Sequence, residues 1–178
     1  MLSKSVLRIA LLGSVMLAAT TSYAQQPAPA PNPLDNVPDK MPFDVPYGTA
    51  IGLDRAQAAI AAAIAEAKKH DWKLIVTVVD SGGNLVAFQR MDGAQLASIP
   101  ISEHKARASA TFRRETKAFE NGIQLNNLNY LITLDGVIGS RGGIPLVEGG
   151  KLIGAIGCSG GTGSQDEVAY KAGAATVK

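Results

Sequence analysis

A glycine-rich stretch near the C-terminus, residues 157–161 (GCSGG), has the residue types of a catalytic turn. It fits the G-x-S-x-G pattern, which in α/β-hydrolases holds a nucleophilic serine between a strand and a helix. In those enzymes the catalytic histidine follows the serine in the chain. Here both histidines, His70 and His104, precede Ser159. The order of the residues therefore argues against a serine hydrolase.

The same stretch has two other interpretations. It contains neither of the phosphate-binding patterns G-x-x-x-x-G-K-[S/T] and G-x-G-x-x-G. However, the backbone N–H groups of residues 157–163 come just before a predicted helix, where free amides can hold a carboxylate or another anion. The sequence leaves open whether this is an anion site or a tight turn that leads into the helix.

His104 lies in the middle of a predicted helix and is a candidate metal ligand. A neutral imidazole can bind haem iron or a divalent cation. No second histidine follows at i+4 and Cys158 is the only cysteine, so a closed zinc site is not predicted. The alternative is an ordinary surface histidine, and His70 is expected to be a solvated residue at a helix end.

Arg141 stands among the glycines of residues 139–143, which suits bidentate recognition of a carboxylate or propionate. The alternative is a loop arginine in solvent. Met91 is either a soft iron ligand or a core residue. Further charged residues either line the same cavity or form ion pairs between a hairpin and a helix: Arg90, Asp92, Glu103 and Lys105.

The N-terminus has the pattern of a secretory signal peptide. Lys4 and Arg8 precede an apolar run over residues 9–19, and residues 22–24 (SYA) resemble a cleavage site. The apolar run is short for a membrane span, which disfavours an uncleaved anchor. We predict that residues 1–24 are removed after Ala24 and that the protein is periplasmic or secreted, with no membrane association after cleavage.

Charge and cysteine content restrict the partners and the sources of stability. The full chain has a formal charge of +2, and residues 1–24 carry two basic residues and no acidic one, so the mature chain is about neutral. This balance gives no support for nucleic-acid binding. With one cysteine, no intramolecular disulfide can form, so stability must come from packing, a ligand or oligomerisation.

Residues 25–52 are predicted to form a proline-rich arm or linker, since seven of the nine prolines lie between residues 27 and 46. Such an arm can lie on the surface or wrap a neighbouring subunit. A domain over residues 53–178 follows. It begins with an amphipathic, alanine-rich helix at 54–69, and a hairpin follows at 74–79 and 85–90.

The second half of the chain repeats this alternation of helix and hairpin. Ser98 is a candidate N-cap for a helix at 101–112, and a shorter helix is predicted at 116–124. Residues 130–134 could be a strand. A second hairpin is predicted at 144–147 and 151–158, and Ser164 with Glu167 reads as the capping box of a last helix. The order of elements predicts an α+β fold around an antiparallel sheet.

Several of these motifs together resemble the GlcG/HbpS family of haem-binding, haem-degrading-like proteins. The resemblance covers about residues 53–178 and is carried by five stretches: VVDSGGNLVAF at 78–88, RMDGA at 90–94, Lys105-Ala106, GGIP at 142–145, and GAIGCSGGTG at 154–163 with QDE at 165–167. It implies a profilin-like fold with helices on both faces of the sheet and assembly into homo-oligomers.

The resemblance also implies haem as the cofactor. We expect His104 to be the iron ligand, Lys105 and Arg141 to meet the propionates, and Gly142 and Gly143 to belong to the same site. Two alternatives from other classes remain: an enzyme that acts on a small hydroxy- or oxo-acid, and a non-catalytic oligomeric partner module. In the enzyme alternative, Arg141 and the loop at 157–163 hold the carboxylate, and His104 or Glu167 acts as acid or base.

Overall fold

The computed structural model describes residues 30–178, and the predicted signal peptide lies outside the described residues. A first unit ends at Asp39, and its described residues, 30–39, contain a short 3-10 turn at Pro33–Asp35. Lys40–Lys178 form the second unit. Between residues 30 and 178, no helix has both the length and the apolar character needed to cross a membrane.

The second unit contains four α-helices and four strands, and the strands form two hairpins that are separated by helices. The first half has α1 (Leu53–Lys69), β1 (Ile75–Asp80), β2 (Leu85–Arg90) and α2 (Ser98–Phe112). The second half has α3 (Lys117–Asn126), a 3-10 helix (Asn129–Thr133), β3 (Gly143–Glu148), β4 (Lys151–Ser159) and α4 (Gly163–Ala174). The four strands pair antiparallel with one another, in the order β2-β1-β4-β3. The predicted α+β class is confirmed.

Helices cover both faces of the sheet, as predicted. Val76 and Val78 of β1 belong to a core shared with α1 and α4, whereas Val79 packs against Ala106 and Ala110 of α2. Successive strand residues point to opposite faces, so β1 is buried on both sides and its sequence is a continuous apolar run. The alanines of α1 let it lie close to α4, where a Cβ added at Gly173 would be 2.7 Å from the Ala59 carbonyl oxygen.

Two local predictions were wrong, and one open possibility is now decided. Ser98 is the first residue of α2 rather than its N-cap, because Ala97 holds that position. Residues 130–134 lie largely within the 3-10 helix rather than in a strand. The capping box of α4 uses Thr162 and Gln165, two residues earlier than predicted, because the helix begins at Gly163.

Part of the segment that the sequence assigns to the arm runs along β4. The backbone N–H of Leu152 donates to the Pro46 carbonyl at 2.8 Å, and that of Gly48 donates to the Leu152 carbonyl at 2.7 Å. A further bond joins the N–H of Ile51 to Ile153. The Tyr47 hydroxyl donates to the Thr111 carbonyl at the end of α2. Residues 46–51 are therefore held on the sheet and on α2 of the same chain.

Candidate functional site

Lys105 of α2 forms a buried ion pair with Asp166 in the first turn of α4. The ammonium nitrogen Nζ is 2.8 Å from Asp166 Oδ2, and the side chains are only 3% and 1% exposed. Burial raises the pKa of the Asp166 carboxyl, and the Lys105 ammonium partly offsets that rise. Lys105, expected from the sequence to meet a propionate, instead joins two helices inside the protein.

Gly142 and Gly143 pack directly against Lys105. A Cβ added at Gly142 would lie 2.7 Å from Lys105 Nζ, and Gly142 has φ of +138°, which side-chain-bearing residues rarely adopt. A Cβ at Gly143 would lie 2.3 Å from the Lys105 carbonyl oxygen. The two glycines thus let the start of β3 approach α2, and their contacts are with the protein itself.

Arg141 is held by two carboxylates. Its Nε donates to Glu120 Oε1 at 2.6 Å, its backbone N–H donates to Glu120 Oε2 at 2.7 Å, and its guanidinium reaches Glu167 Oε2 at 3.1 Å. These bonds engage the N–H donors of Arg141 that we expected, from the sequence, to bind a propionate. Arg141 therefore fixes the loop before β3 to α3 and α4.

Glu167 is the centre of this ionic cluster. Besides Arg141, it accepts hydrogen bonds from Lys117 at 2.8 Å and Lys171 at 2.5 Å. Burial alone would raise the pKa of Glu167, but the hydrogen bonds from the two lysines outweigh burial and lower the pKa to about 2. Glu167 is thus a structural anion rather than the partner of Ser164 in a capping box.

Two amides of the glycine-rich loop are engaged by nearby side chains. The N–H of Gly161 donates to Asp166 Oδ1 at 3.2 Å, and that of Thr162 donates to Gln165 Oε1 at 2.8 Å. Ser159 is buried, and its hydroxyl donates to Ser98 Oγ at 3.0 Å. Of the two interpretations of residues 157–163, these bonds favour the tight turn over the anion site.

His104 lies apart from this cluster, on the exposed side of α2. Its Nε2 is 3.2 Å from the Gly136 carbonyl oxygen. Within residues 30–178, no group of three or more His, Cys, Asp or Glu side chains is arranged to hold a metal ion. Cys158 is fully buried, and burial raises the pKa of its thiol, which disfavours the reactive thiolate.

A cavity of about 620 Å³ opens on another part of the domain, between α1 and the edge strand β2. Ile64 and Lys68 come from α1, and Lys73 comes from the connection to β1. The other lining residues are the end of β2 and the two residues after it: Phe88, Gln89, Arg90, Met91 and Asp92. We call this cavity the α1–β2 groove.

The α1–β2 groove combines an apolar part with a positive rim. Ile64, Phe88 and Met91 are half-buried. Three cations, Lys68, Lys73 and Arg90, accompany a single carboxylate, that of Asp92. Such a groove can hold a molecule that has both apolar surface and negative groups.

The family model described as "Haem degrading protein HbpS-like" matches residues 51–175. The chain belongs to this HbpS-like family. Protein GlcG of Escherichia coli strain K12 is 42% identical over 104 residues, which cover 58% of this chain and 77% of GlcG.

Solved structures share the fold of this HbpS-like domain. A double mutant of HbpS from Streptomyces reticuli superposes with a TM-score of 0.68 at 29% identity, covering 85% of this chain and 99% of that one. The complex of PduOC with haem gives a TM-score of 0.66 at 24% identity, covering 73% and 96%. Because the identity to PduOC is low, this likeness shows a shared fold alone.

Some residues of the groove were candidates from the sequence, but the sequence did not predict that they share one cavity. Arg90, Met91 and Asp92 were singled out, whereas Ile64, Lys68 and Phe88 read as ordinary residues of a helix and a strand. Glu103 and Lys105, expected beside Arg90, do not line the groove. The available signal was the run of Arg90 to Asp92 at the end of an edge strand.

Proposed function

We propose that this HbpS-like chain binds haem or a closely related tetrapyrrole in the α1–β2 groove. The observation that carries the proposal is the pairing of apolar side chains with three cations in one cavity of ligand size. Two comparisons support the choice of ligand: the family is described as haem-degrading, and PduOC, a protein of the same fold, forms a complex with haem.

The residues present fit this cofactor. Haem has two apolar faces and an edge with two propionates, so Ile64, Phe88 and Met91 would contact the macrocycle. Lys68 and Arg90 are exposed, and we assign them to the propionates. Lys73 forms an ion pair with Asp71, which offsets its charge, so we do not assign it to a propionate. Bound haem would supply an iron centre, and these side chains would bind and orient it.

The groove proposal differs from the assignment drawn from the sequence. His104, Arg141, Gly142 and Gly143 lie outside the groove lining, and Lys105 is buried in an ion pair. The small-acid enzyme hypothesis also loses its binding groups, because protein side chains engage Arg141 and the amides of Gly161 and Thr162. Haem binding in the groove remains the function that the geometry supports best.

A haem titration of charge variants tests the proposal. Removing two rim cations, in Lys68→Ala/Arg90→Ala, is expected to weaken haem binding about 5- to 30-fold, since each surface ion pair contributes up to about 1 kcal/mol. The matched control is Lys69→Ala/Lys151→Ala, which removes two exposed cations outside the groove lining. Binding to the mature protein is followed by the shift of the haem Soret band.

The outcomes of this titration separate the two assignments. The control variant and His104→Ala should bind haem as the wild type does. Loss of the Soret shift in His104→Ala, with normal binding by Lys68→Ala/Arg90→Ala, would show that haem binds at His104 on α2 rather than in the groove. Absence of a Soret shift in the wild type would refute haem binding itself.

We also propose that the protein acts outside the cytoplasm, in haem handling or sensing, and as a homo-oligomer. The export signal in residues 1–24 supports the location, and the motifs that resemble the GlcG/HbpS family support the assembly. Expression of the full chain in a Gram-negative host should yield periplasmic protein that begins at Gln25. N-terminal sequencing checks this, and a chain in the cytoplasm that retains Met1 would contradict it.

A further inference from the structure

Few of the side chains that line the α1–β2 groove can give an electron pair to iron. The ammonium groups of Lys68 and Lys73 and the guanidinium of Arg90 have no free acceptor site. Gln89 and Asp92 offer oxygen atoms, and both are exposed. The thioether sulfur of Met91 is neutral and soft, and it is an established type of axial ligand for haem iron.

Met91 lines the groove from a fixed point of the main chain. Met91 directly follows β2, and its backbone N–H donates to the Leu74 carbonyl at 3.0 Å, which fixes the main chain to the sheet. Its side chain is half-buried, packs against the hydrophobic core and lines the groove. Met91 thus joins the apolar contacts to Arg90 and Asp92 on the rim.

We infer that Met91 is an axial ligand of the iron when haem occupies the groove. This inference rests on the proposed function and assigns the ligand to β2 rather than to His104 of α2. A thioether ligand favours the reduced iron, so Met91 would raise the reduction potential of the bound haem. The ligand and the propionate-binding cations would then come from one short stretch, residues 90–91, together with Lys68.

Spectroscopy of Met91→Leu tests the inference. Leucine keeps the volume and the apolar character of methionine, so haem should still bind. The wild-type complex should show the thioether-to-iron charge-transfer band in the ferric state, and Met91→Leu should lack this band and have a lower reduction potential. His104→Ala should keep both properties, and Lys68→Ala/Arg90→Ala should keep the band while it binds haem more weakly.

Failure of the inference and failure of the proposed function give different results. If the wild type binds haem and Met91→Leu leaves the spectrum and the reduction potential of the bound haem unchanged, Met91 is not the ligand and groove binding stands. If the wild type gives no Soret shift, the proposed function fails. If a folded Met91→Leu, checked by circular dichroism, loses haem altogether, the sulfur is required and the inference is supported.

Discussion

Asp166→Ala is expected to lower the free energy of unfolding by about 3–5 kcal/mol, because it leaves the Lys105 ammonium buried without its partner. The pair lies between α2 and α4 and is almost completely shielded from water. Asp166 also accepts the N–H of Gly161, so the variant loses a turn contact as well. Urea unfolding followed by circular dichroism measures the change.

Two further variants show whether the loss comes from an unpaired buried charge. Lys105→Met/Asp166→Leu removes both charges and should recover most of the stability, since apolar replacements of a buried pair are often neutral. Glu148→Ala breaks the exposed pair with Arg55 and should have little effect. Equal losses in Asp166→Ala and Glu148→Ala would show that burial of the pair does not determine its energetic role.

Gly157→Ala is expected to be destabilising by about 1–3 kcal/mol or more, because β4 and α2 are in contact at this residue. The added Cβ would lie 2.3 Å from the Ser102 carbonyl oxygen and 2.6 Å from the Ala106 nitrogen. Both atoms belong to the backbone of α2, so relief requires the whole helix to move. Thermal and urea unfolding of the variant measure the cost.

Gly52→Ala is the matched control for this substitution. A Cβ at Gly52 meets no atom within 4 Å, and its backbone angles, φ −80° and ψ 164°, are open to alanine. The only expected cost is a weaker N-cap of α1, under about 1 kcal/mol. The control should therefore lose clearly less stability than Gly157→Ala. Equal stability of Gly157→Ala and Gly52→Ala would contradict the close contact between α2 and β4 at Gly157.

The elements of the fold could be predicted because local sequence determines them. The alanine stripe of α1 and the β-branched run of β1 give periodic signals within a few residues. The errors fall at boundaries and in residues 130–134, where a short apolar run fits either a strand or a helical turn. Thr162 and Ser164 could each cap α4, and only the point at which β4 ends decides between them.

The candidate site was harder to predict, because the partners of its charges are distant in sequence. Arg141 among glycines has the local pattern of a ligand-binding arginine. Its carboxylate partners, Glu120 and Glu167, come from two other helices. Lys105 likewise meets Asp166, which lies 61 residues away. Local sequence gives the chemistry of a side chain, but only the tertiary fold shows whether another protein group already occupies it.

The α1–β2 groove was also hidden in the sequence, because the residues that line it come from segments that are distant in the chain. Lys68 matches the dipole at the end of α1, and Phe88 reads as an ordinary strand residue. Their joint role depends on the contact of α1 with β2, about 20 residues further along the chain. No local pattern in either segment indicates that contact. A cavity between two elements therefore becomes visible only when both are placed.

Amide NMR of the mature protein maps where haem binds and therefore tests binding in the α1–β2 groove directly. Paramagnetic ferric haem broadens the signals of nearby amides, and diamagnetic zinc protoporphyrin serves as the control for conformational change. The groove proposal predicts that broadening is strongest at residues 64–73 and 88–92. Broadening centred on His104 and residues 134–143, with the groove signals unchanged, would contradict it.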